Sequence, residues 1–269
     1  MAMRQRMAFA VWSNRQVSDL RKLGFAAADK DVARVLVELH NLGAFSGGLI
    51  VVGSLAHMAW QNELGIEVRT RREGVRSAAR QAVLELGATR AFMESPLAGT
   101  LPFTPLPGEP ARTVARLGGV DGLPIEFRIP GNDMASDMKD SLTVAGGRWS
   151  ARNGPFYEFL LESPESGALL AGGHCIPVLL PQAARLVWHT LFLSSQTDRL
   201  PAQVAWERQQ SLALGAALID DDPWALLTAW EKAPAAMTAP IRPLRASLLA
   251  KLAGHPELRD LFDDCLRGD

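Results

Sequence analysis

A Gly-Ser pair between a predicted strand and a predicted helix is the local feature of this sequence best suited to bind an anion. The β-branched run from Gly48 to Val52 is bounded by glycines and predicts a buried strand, and a helical pattern follows it as far as Gly65. Free backbone N–H groups at the start of a helix point toward an anion bound there, and the helix dipole favours its negative charge. Gly53 and Ser54 are therefore candidate phosphate-binding residues. The alternative is that Ser54 has only the structural role of a helix N-cap.

Five arginines lie between residues 69 and 80, at the end of a stretch from Ile66 to Thr70 that alternates as a strand does. Guanidinium groups bind phosphate and carboxylate groups through paired N–H donors, so this cluster is a second candidate for anion binding. The alternative is that these arginines form the solvated edge of a strand and the start of the following helix.

The overall charge limits the partners of the protein. The chain has 269 residues with 28 Lys and Arg against 29 Asp and Glu, and a net charge of -1 argues against a surface built throughout for nucleic acid or anionic lipid. Its 48% of hydrophobic residues is typical of a soluble globular protein. Cys175 and Cys265 lie far apart, with neither metal-ligand nor disulfide-framework spacing. The longest apolar runs are shorter than the roughly 18–20 residues that span a bilayer, and we expect a cytoplasmic protein.

Hydrophobic periodicity divides the chain into an α/β half and a helical half. Besides the strand and helix around Gly53, the elements predicted in the first half are a helix between Asp29 and Gly43, a helix over Ser77–Leu86, a loop over 94–110, and a hairpin of residues 112–117 and 123–129. From Pro181 onward the pattern is helical almost throughout. The predicted domains are residues 1–150 and 151–269.

The order of several short motifs resembles the nucleotidyltransferase fold of the DNA polymerase β-like superfamily, and within it a prokaryotic branch. The motifs that carry the resemblance are Phe45–His57, Leu64–Thr70, Ile125–Pro130, Pro155–Leu161, Ile176–Pro181 and Leu186–Thr190. They extend over most of the chain, from about Ala33 to about Lys232. The resemblance implies an α/β (α+β) nucleotidyltransferase-like domain with a mixed sheet, followed by an α-helical domain.

The resemblance also implies a site for two Mg²⁺ ions. In the family, a strand with the pattern Thr-x-Asp-x-Asp supplies two carboxylates, and a later strand supplies a third. In this sequence the pattern that begins at Thr70 places Arg72 and Gly74 at the two aspartate positions. Glu126 keeps a carboxylate at the third position, which makes it the candidate metal ligand and, with Glu73, a candidate catalytic residue. Glu73 would reach the site only through a bulge or a shift of register, because it alternates to the opposite face of a regular strand.

Arginines stand where the family keeps acidic residues, which suggests how a degenerate site would still bind a ligand. We expect Arg72 to replace the positive charge of the metal, either by pairing with Glu126 or by holding a phosphate directly. The positions implied to contact a nucleotide or phosphate are Gly53, Ser54, Arg69, Thr70, Arg72 and His189. His189 lies where the family has a His-Lys pair, with Thr190 in place of the lysine. The alternative is that His189 is packed inside its helix.

Two functions follow from this resemblance. The first is a catalytically impaired relative, a bacterial pseudoenzyme that binds a nucleotide or phosphate ligand in a cleft between its two domains. The alternative is an active, divergent nucleotidyltransferase that uses Mg²⁺ and an NTP to move a nucleoside monophosphate to a hydroxyl of a protein, an RNA or a small molecule. A protein partner or a homodimer is also expected, membranes are not, and nucleic acid is the less favoured partner. A third interpretation is a partner-binding α/β protein without a small ligand.

Overall fold

The structure, a computed structural model, describes residues 2–66, 83–106, 109–115, 123–131, 141–144, 149–197 and 199–267. The chain forms two compact units. One is built from Met1–Tyr157 and Pro164–Leu180, and the other from Glu158–Ser163 and Pro181–Asp269. The domain boundary between residues 150 and 151 stays a prediction, since compact packing does not establish which segments fold on their own.

Among the described residues, the first unit is built on a seven-stranded mixed sheet. Its strands in chain order are β1 (Leu49–Val51), β2 (Leu84–Ala88), β3 (Phe103–Leu106), β4 (Glu109–Ala115), β5 (Leu123–Gly131), β6 (Ser141–Thr143) and β7 (Ser150–Pro155). They pair in the order β1-β2-β5-β4-β3, and β7 pairs with both β5 and β6. The β2–β5 and β5–β7 pairs are parallel and the others antiparallel, which confirms the expected mixed sheet.

Helices and a two-stranded sheet complete the first unit. They are α1 (Ala2–Lys22), α2 (Lys30–Asn41), α3 (Gly53–Glu63), α4 (Arg90–Glu94), α5 (Pro96–Thr100) and the antiparallel hairpin of β8 (Glu165–Ala171) and β9 (His174–Leu180); α6 (Tyr157–Leu161) begins at the junction of the units. The helix predicted between Asp29 and Gly43 is confirmed as α2. The Asp29 carboxylate caps α2, accepting the backbone N–H groups of Asp31 and Val32 at 3.0 Å.

Alternate residues of strand β5 lie on an apolar face and on a polar face of the large sheet. Its buried residues are Ile125, Phe127 and Ile129. The Phe127 ring packs against Trp149 with 4.2 Å between the ring centroids, so this face contributes to the core. Glu126 and Arg128 alternate with the apolar residues and are half-buried on the opposite face. The polar face is therefore where the sheet can present charged side chains to a ligand.

The second unit is helical, as the periodicity after Pro181 predicted. Its helices are α7 (Ala183–Leu193), α8 (Pro201–Asp221), α9 (Pro223–Lys232), α10 (Ala235–Thr238), α11 (Arg245–Leu249) and α12 (Pro256–Leu266), with a 3₁₀ turn at Arg242–Leu244. The Trp188 ring of α7 packs against Trp230 at 4.6 Å and Phe262 at 4.7 Å between centroids, which ties three helices into one core. Within the described parts of the chain, no helix is both long enough and apolar enough to cross a membrane.

The predictions for residues 77–110 are partly wrong. The helix predicted over 77–86 is contradicted at its end, because β2 begins at Leu84 and buries alternate apolar residues as a strand does. The predicted loop over 94–110 contains α5 and β3. Local capping explains the short helices, since the hydroxyls of Thr89 and Ser95 accept backbone N–H groups at their starts, at 3.1 and 3.3 Å. The hairpin predicted from residues 112–117 and 123–129 is confirmed by the antiparallel pairing of β4 with β5.

Candidate functional site

The predicted Gly-Ser turn lies at the junction of β1 and α3. Gly53 is the first residue of α3 and has a φ of +64°, a conformation that costs glycine little and other residues more. The capping position is Val52, and no side chain at that position caps the helix. Ser54 lies inside the first turn, so its interpretation as the N-cap is wrong. The first backbone N–H groups of α3 thus begin at a glycine that allows close approach of another group.

The group that approaches Gly53 is the carboxylate of Glu85, on β2. A Cβ atom added to Gly53 would lie only 2.0 Å from Glu85 Oε2, and the backbone N–H of Val52 donates to the Glu85 carbonyl at 3.3 Å. An acidic group at the start of a helix interacts favourably with the helix dipole. Sequence reasoning missed Glu85 because it assigned residues 77–86 to a helix. The alternation of Leu84, Glu85 and Leu86 was the signal that a strand could have been predicted.

Glu85 and Glu126 are neighbours on the polar face of the sheet. They pair in register across the parallel strands β2 and β5, so their backbones lie about 4.8 Å apart and their side chains project from the same face. Glu126 Oε2 accepts a hydrogen bond from Arg128 Nη2 at 3.1 Å, and these side chains are 15% and 26% exposed. The site thus brings together the predicted residues Gly53, Ser54 and Glu126 in one unit, together with the unpredicted Glu85 and Arg128.

A basic row lies beside these two carboxylates. Arg128 of β5 pairs in register with Arg152 of β7, and on its other side with Gly87 of β2. The polar face therefore carries an acidic row, Glu85 and Glu126, and a basic row, Arg128 and Arg152, two residues further along β5. The local motifs of the sequence offer no signal for Arg152, because only the strand register places it next to Arg128.

The remaining predicted residues are distributed differently. Arg69, Thr70, Arg72 and Glu73 lie outside the described residues, so the pairing of Arg72 with Glu126 stays a prediction. His189 lies on α7 in the helical unit, where it is 2% exposed and its ring centroid is 6.1 Å from that of Phe192. Its role toward a nucleotide likewise stays a prediction.

The ability to bind a metal ion depends on how ligand side chains are grouped in the part of the chain that the structure describes. No group of three or more His, Cys, Asp or Glu side chains there is placed to hold a metal ion. Two carboxylates, as at Glu85 and Glu126, are nevertheless a set that Mg²⁺ uses when substrate phosphates complete its coordination. Of the two cysteines, Cys175 is exposed and Cys265 is buried, and burial raises the pKa of the Cys265 thiol to about 12. The Cys265 thiol is therefore kept in its unreactive, protonated form.

Comparison with known protein families supports the fold. A family model described as nucleotidyltransferase matches residues 30–235, from the start of α2 to just beyond α9. Neither the curated proteins nor the solved structures include a significant match to the chain. Because the family match takes in the large sheet, the Gly-Ser turn and the first helices of the second unit, the chain belongs to the nucleotidyltransferase family.

Proposed function

We propose that the protein binds a nucleotide through its phosphate groups on the polar face of the large sheet, with impaired nucleotidyl transfer. The observation that carries this proposal is the ion pair between Glu126 and Arg128. The family resemblance places Glu126 at a metal position, and the Arg128 guanidinium supplies positive charge beside it. An arginine in this role binds phosphate oxygens as a metal would, but it does not activate an attacking hydroxyl.

The start of α3, which lies next to Glu85 of the acidic row, also supports phosphate binding. Its backbone N–H groups begin at Gly53, and a phosphate that displaced the Glu85 carboxylate would meet the positive end of the helix dipole. Glu85 thus competes with the ligand for this position. The competition favours weak binding over the tight, metal-assisted binding of an efficient transferase.

The alternative function, active nucleotidyl transfer, is favoured by one observation, the register of Glu85 with Glu126. The two carboxylates fit one Mg²⁺ ion, which Glu85 and Glu126 would hold and which would supply Lewis-acid activation of a phosphoryl oxygen. In that case Arg128 orients Glu126 and neutralises part of its charge. Glu73 would be the further carboxylate to test.

Calorimetric titration of the full chain with ATP, in EDTA and in Mg²⁺, distinguishes these functions. We expect the affinities for ATP in EDTA and in Mg²⁺ to differ by less than about threefold, because arginines rather than a metal ion bind the phosphates. Glu126→Gln should leave this binding intact or strengthen it, since it removes a negative charge. Glu63→Gln, an exposed residue at the end of α3, is the matched control.

Incubation with labelled ATP, GTP, CTP and UTP tests the chemistry itself. We expect no transfer of label to the protein or to a cell lysate. Binding that requires Mg²⁺, is lost in both Glu85→Gln and Glu126→Gln and is accompanied by transfer would replace the proposal with the active alternative. Absence of binding of all four NTPs, in both EDTA and Mg²⁺, would contradict both functions.

A further inference from the structure

We propose that Arg128 and Arg152 form an anion-binding pair that takes the phosphate groups of the ligand. The pair depends on the proposed function only for the identity of that ligand, a nucleoside triphosphate. The two arginines lie on β5 and β7, outside the segments in which the sequence motifs placed phosphate-binding residues.

The register of the sheet makes the two arginines direct neighbours. Arg128 and Arg152 are Cα partners in the parallel pair β5–β7, so they project from the same face with backbones about 4.8 Å apart. Gly87 adjoins Arg128 in the same row and brings no side chain to it. Two long basic side chains therefore stand side by side on the polar face.

The charges of the two guanidinium groups are compensated unequally. Arg128 is paired with Glu126 at 3.1 Å. Arg152 is half-buried, and none of the described residues forms an ion pair or a hydrogen bond with its side chain. Like charges directly opposite each other on neighbouring strands destabilise a sheet. A bound anion that accepts hydrogen bonds from both guanidinium groups would remove this repulsion and supply Arg152 with an acceptor.

The residues on either side of Arg128 and Arg152 limit where an anion can bind. On one side lie the carboxylates of Glu85 and Glu126, which have no hydrogen-bond donors to offer an anion when ionised. On the other side is Gly154, which shares the face of Arg152, and the Tyr157 ring covers it so closely that a Cβ atom there would lie 2.3 Å from Tyr157 Cδ2. The anion is thus directed to the basic row. A phosphate group matches two planar guanidinium groups because each can donate a pair of hydrogen bonds to its oxygens.

Titration with inorganic triphosphate in EDTA tests the pair without a nucleoside or a metal. We expect Arg152→Ala to weaken triphosphate binding by about tenfold to a hundredfold, the effect of losing charged hydrogen bonds. Arg152→Lys should give an intermediate affinity, because it keeps the charge but not the paired donors. Arg34→Ala, on the exposed side of α2, is the matched control and should bind as the wild type does. Should the alanine variant fail to fold, the lysine variant carries the comparison.

A parallel titration with ATP separates this inference from the proposed function. If Arg152→Ala binds ATP with an affinity within twofold of the wild-type value, the role of Arg152 is overturned and nucleotide binding stays in place. If triphosphate binding depends on Arg152 but the protein does not bind ATP, the result supports the anion-binding pair and contradicts the nucleotide function. Failure of the wild type to bind either compound would overturn both.

Discussion

Glu207 is a buried carboxylate whose charge is only partly compensated. It lies on α8, is 5% exposed, and its Oε1 accepts hydrogen bonds from Arg199 and, at 3.1 Å, from Gln203 Nε2. Its Oε2 is buried and has no hydrogen-bond partner among the described residues. Burial raises the pKa of Glu207, and this effect outweighs the opposing influence of Arg199 and Gln203. Folding therefore shifts the equilibrium of this side chain toward its protonated form, relative to the unfolded chain.

The raised pKa of Glu207 predicts a pH dependence of stability with a definite sign. Its contribution is fully present below the unfolded pKa of about 4.3 and is lost as pH rises through the folded pKa. Glu207→Gln mimics the protonated form at every pH. We therefore expect the melting temperature of the variant, relative to that of the wild type, to be about 2–4 °C higher at pH 7 than at pH 4. Melting curves at several pH values measure this gain. The exposed Glu231→Gln is the control, and a gain of the same size there would contradict the assignment to Glu207.

The two ends of α3 offer a matched comparison at the scale of one element. Gly53 begins the helix with a φ of +64°, and Gly65 follows its end with a φ of +65°. A Cβ atom at Gly65 would meet nothing within 4 Å, whereas one at Gly53 would collide with Glu85. The two positions therefore share the same backbone strain and differ in the space around them.

We expect Gly65→Ala to cost about 1–2 kcal/mol of unfolding free energy, the cost of a left-handed conformation for alanine. Gly53→Ala should cost about 0.5–1.5 kcal/mol more, because the Glu85 carboxylate must also move away from its present position. Urea denaturation measures both values, and Glu85→Ala combined with Gly53→Ala should recover the additional cost. Equal costs at Gly53 and Gly65 would mean that the Glu85 carboxylate does not press against the turn.

At the scale of the whole molecule, the chain passes between its two units more than once. Residues 158–163 belong to the helical unit, although segments of the first unit flank them on both sides. Arg185 of α7 holds them there: its Nη1 donates to the Phe159 carbonyl at 2.6 Å and its Nη2 pairs with Glu162 Oε2 at 2.6 Å. Its guanidinium also lies 4.8 Å from the centroid of the Phe159 ring. The first unit is therefore not complete until β9 ends at Leu180.

Expression of fragments tests where the first domain ends. A fragment of residues 1–150 lacks nearly all of β7, which pairs with β5, and the whole of the β8–β9 hairpin. A fragment of residues 1–180 retains both. We expect the longer fragment to melt cooperatively and the shorter one to aggregate, because the shorter one leaves an edge of β5 unpaired and lacks the hairpin that packs on α2 and α3. A shorter fragment that melts as cooperatively as the longer one would support the predicted boundary at residues 150 and 151.

Much of the fold follows from patterns that act over a few residues of chain. Apolar spacing and capping residues predicted α2, α3 and the helices after Pro181, because helical hydrogen bonds and caps join near neighbours. The order of the motifs was also sufficient to recognise the nucleotidyltransferase family. Residues 84–88 were assigned in part to a helix, since a short alternating segment carries little information until its partner strands are known.

The candidate site depended on information that the local pattern does not contain. Glu126 and the Gly-Ser turn were recognised as motifs, but Glu85 and Arg152 take their place only through the pairing of β2, β5 and β7. Register is set by how the apolar face packs as a whole, and a shift of one residue would turn every side chain of a strand to the opposite face. The sequence was therefore enough to identify the family, α2, α3 and the helical character of the second half. Only the tertiary structure decided which charged side chains stand next to one another, because those neighbours lie far apart in the chain.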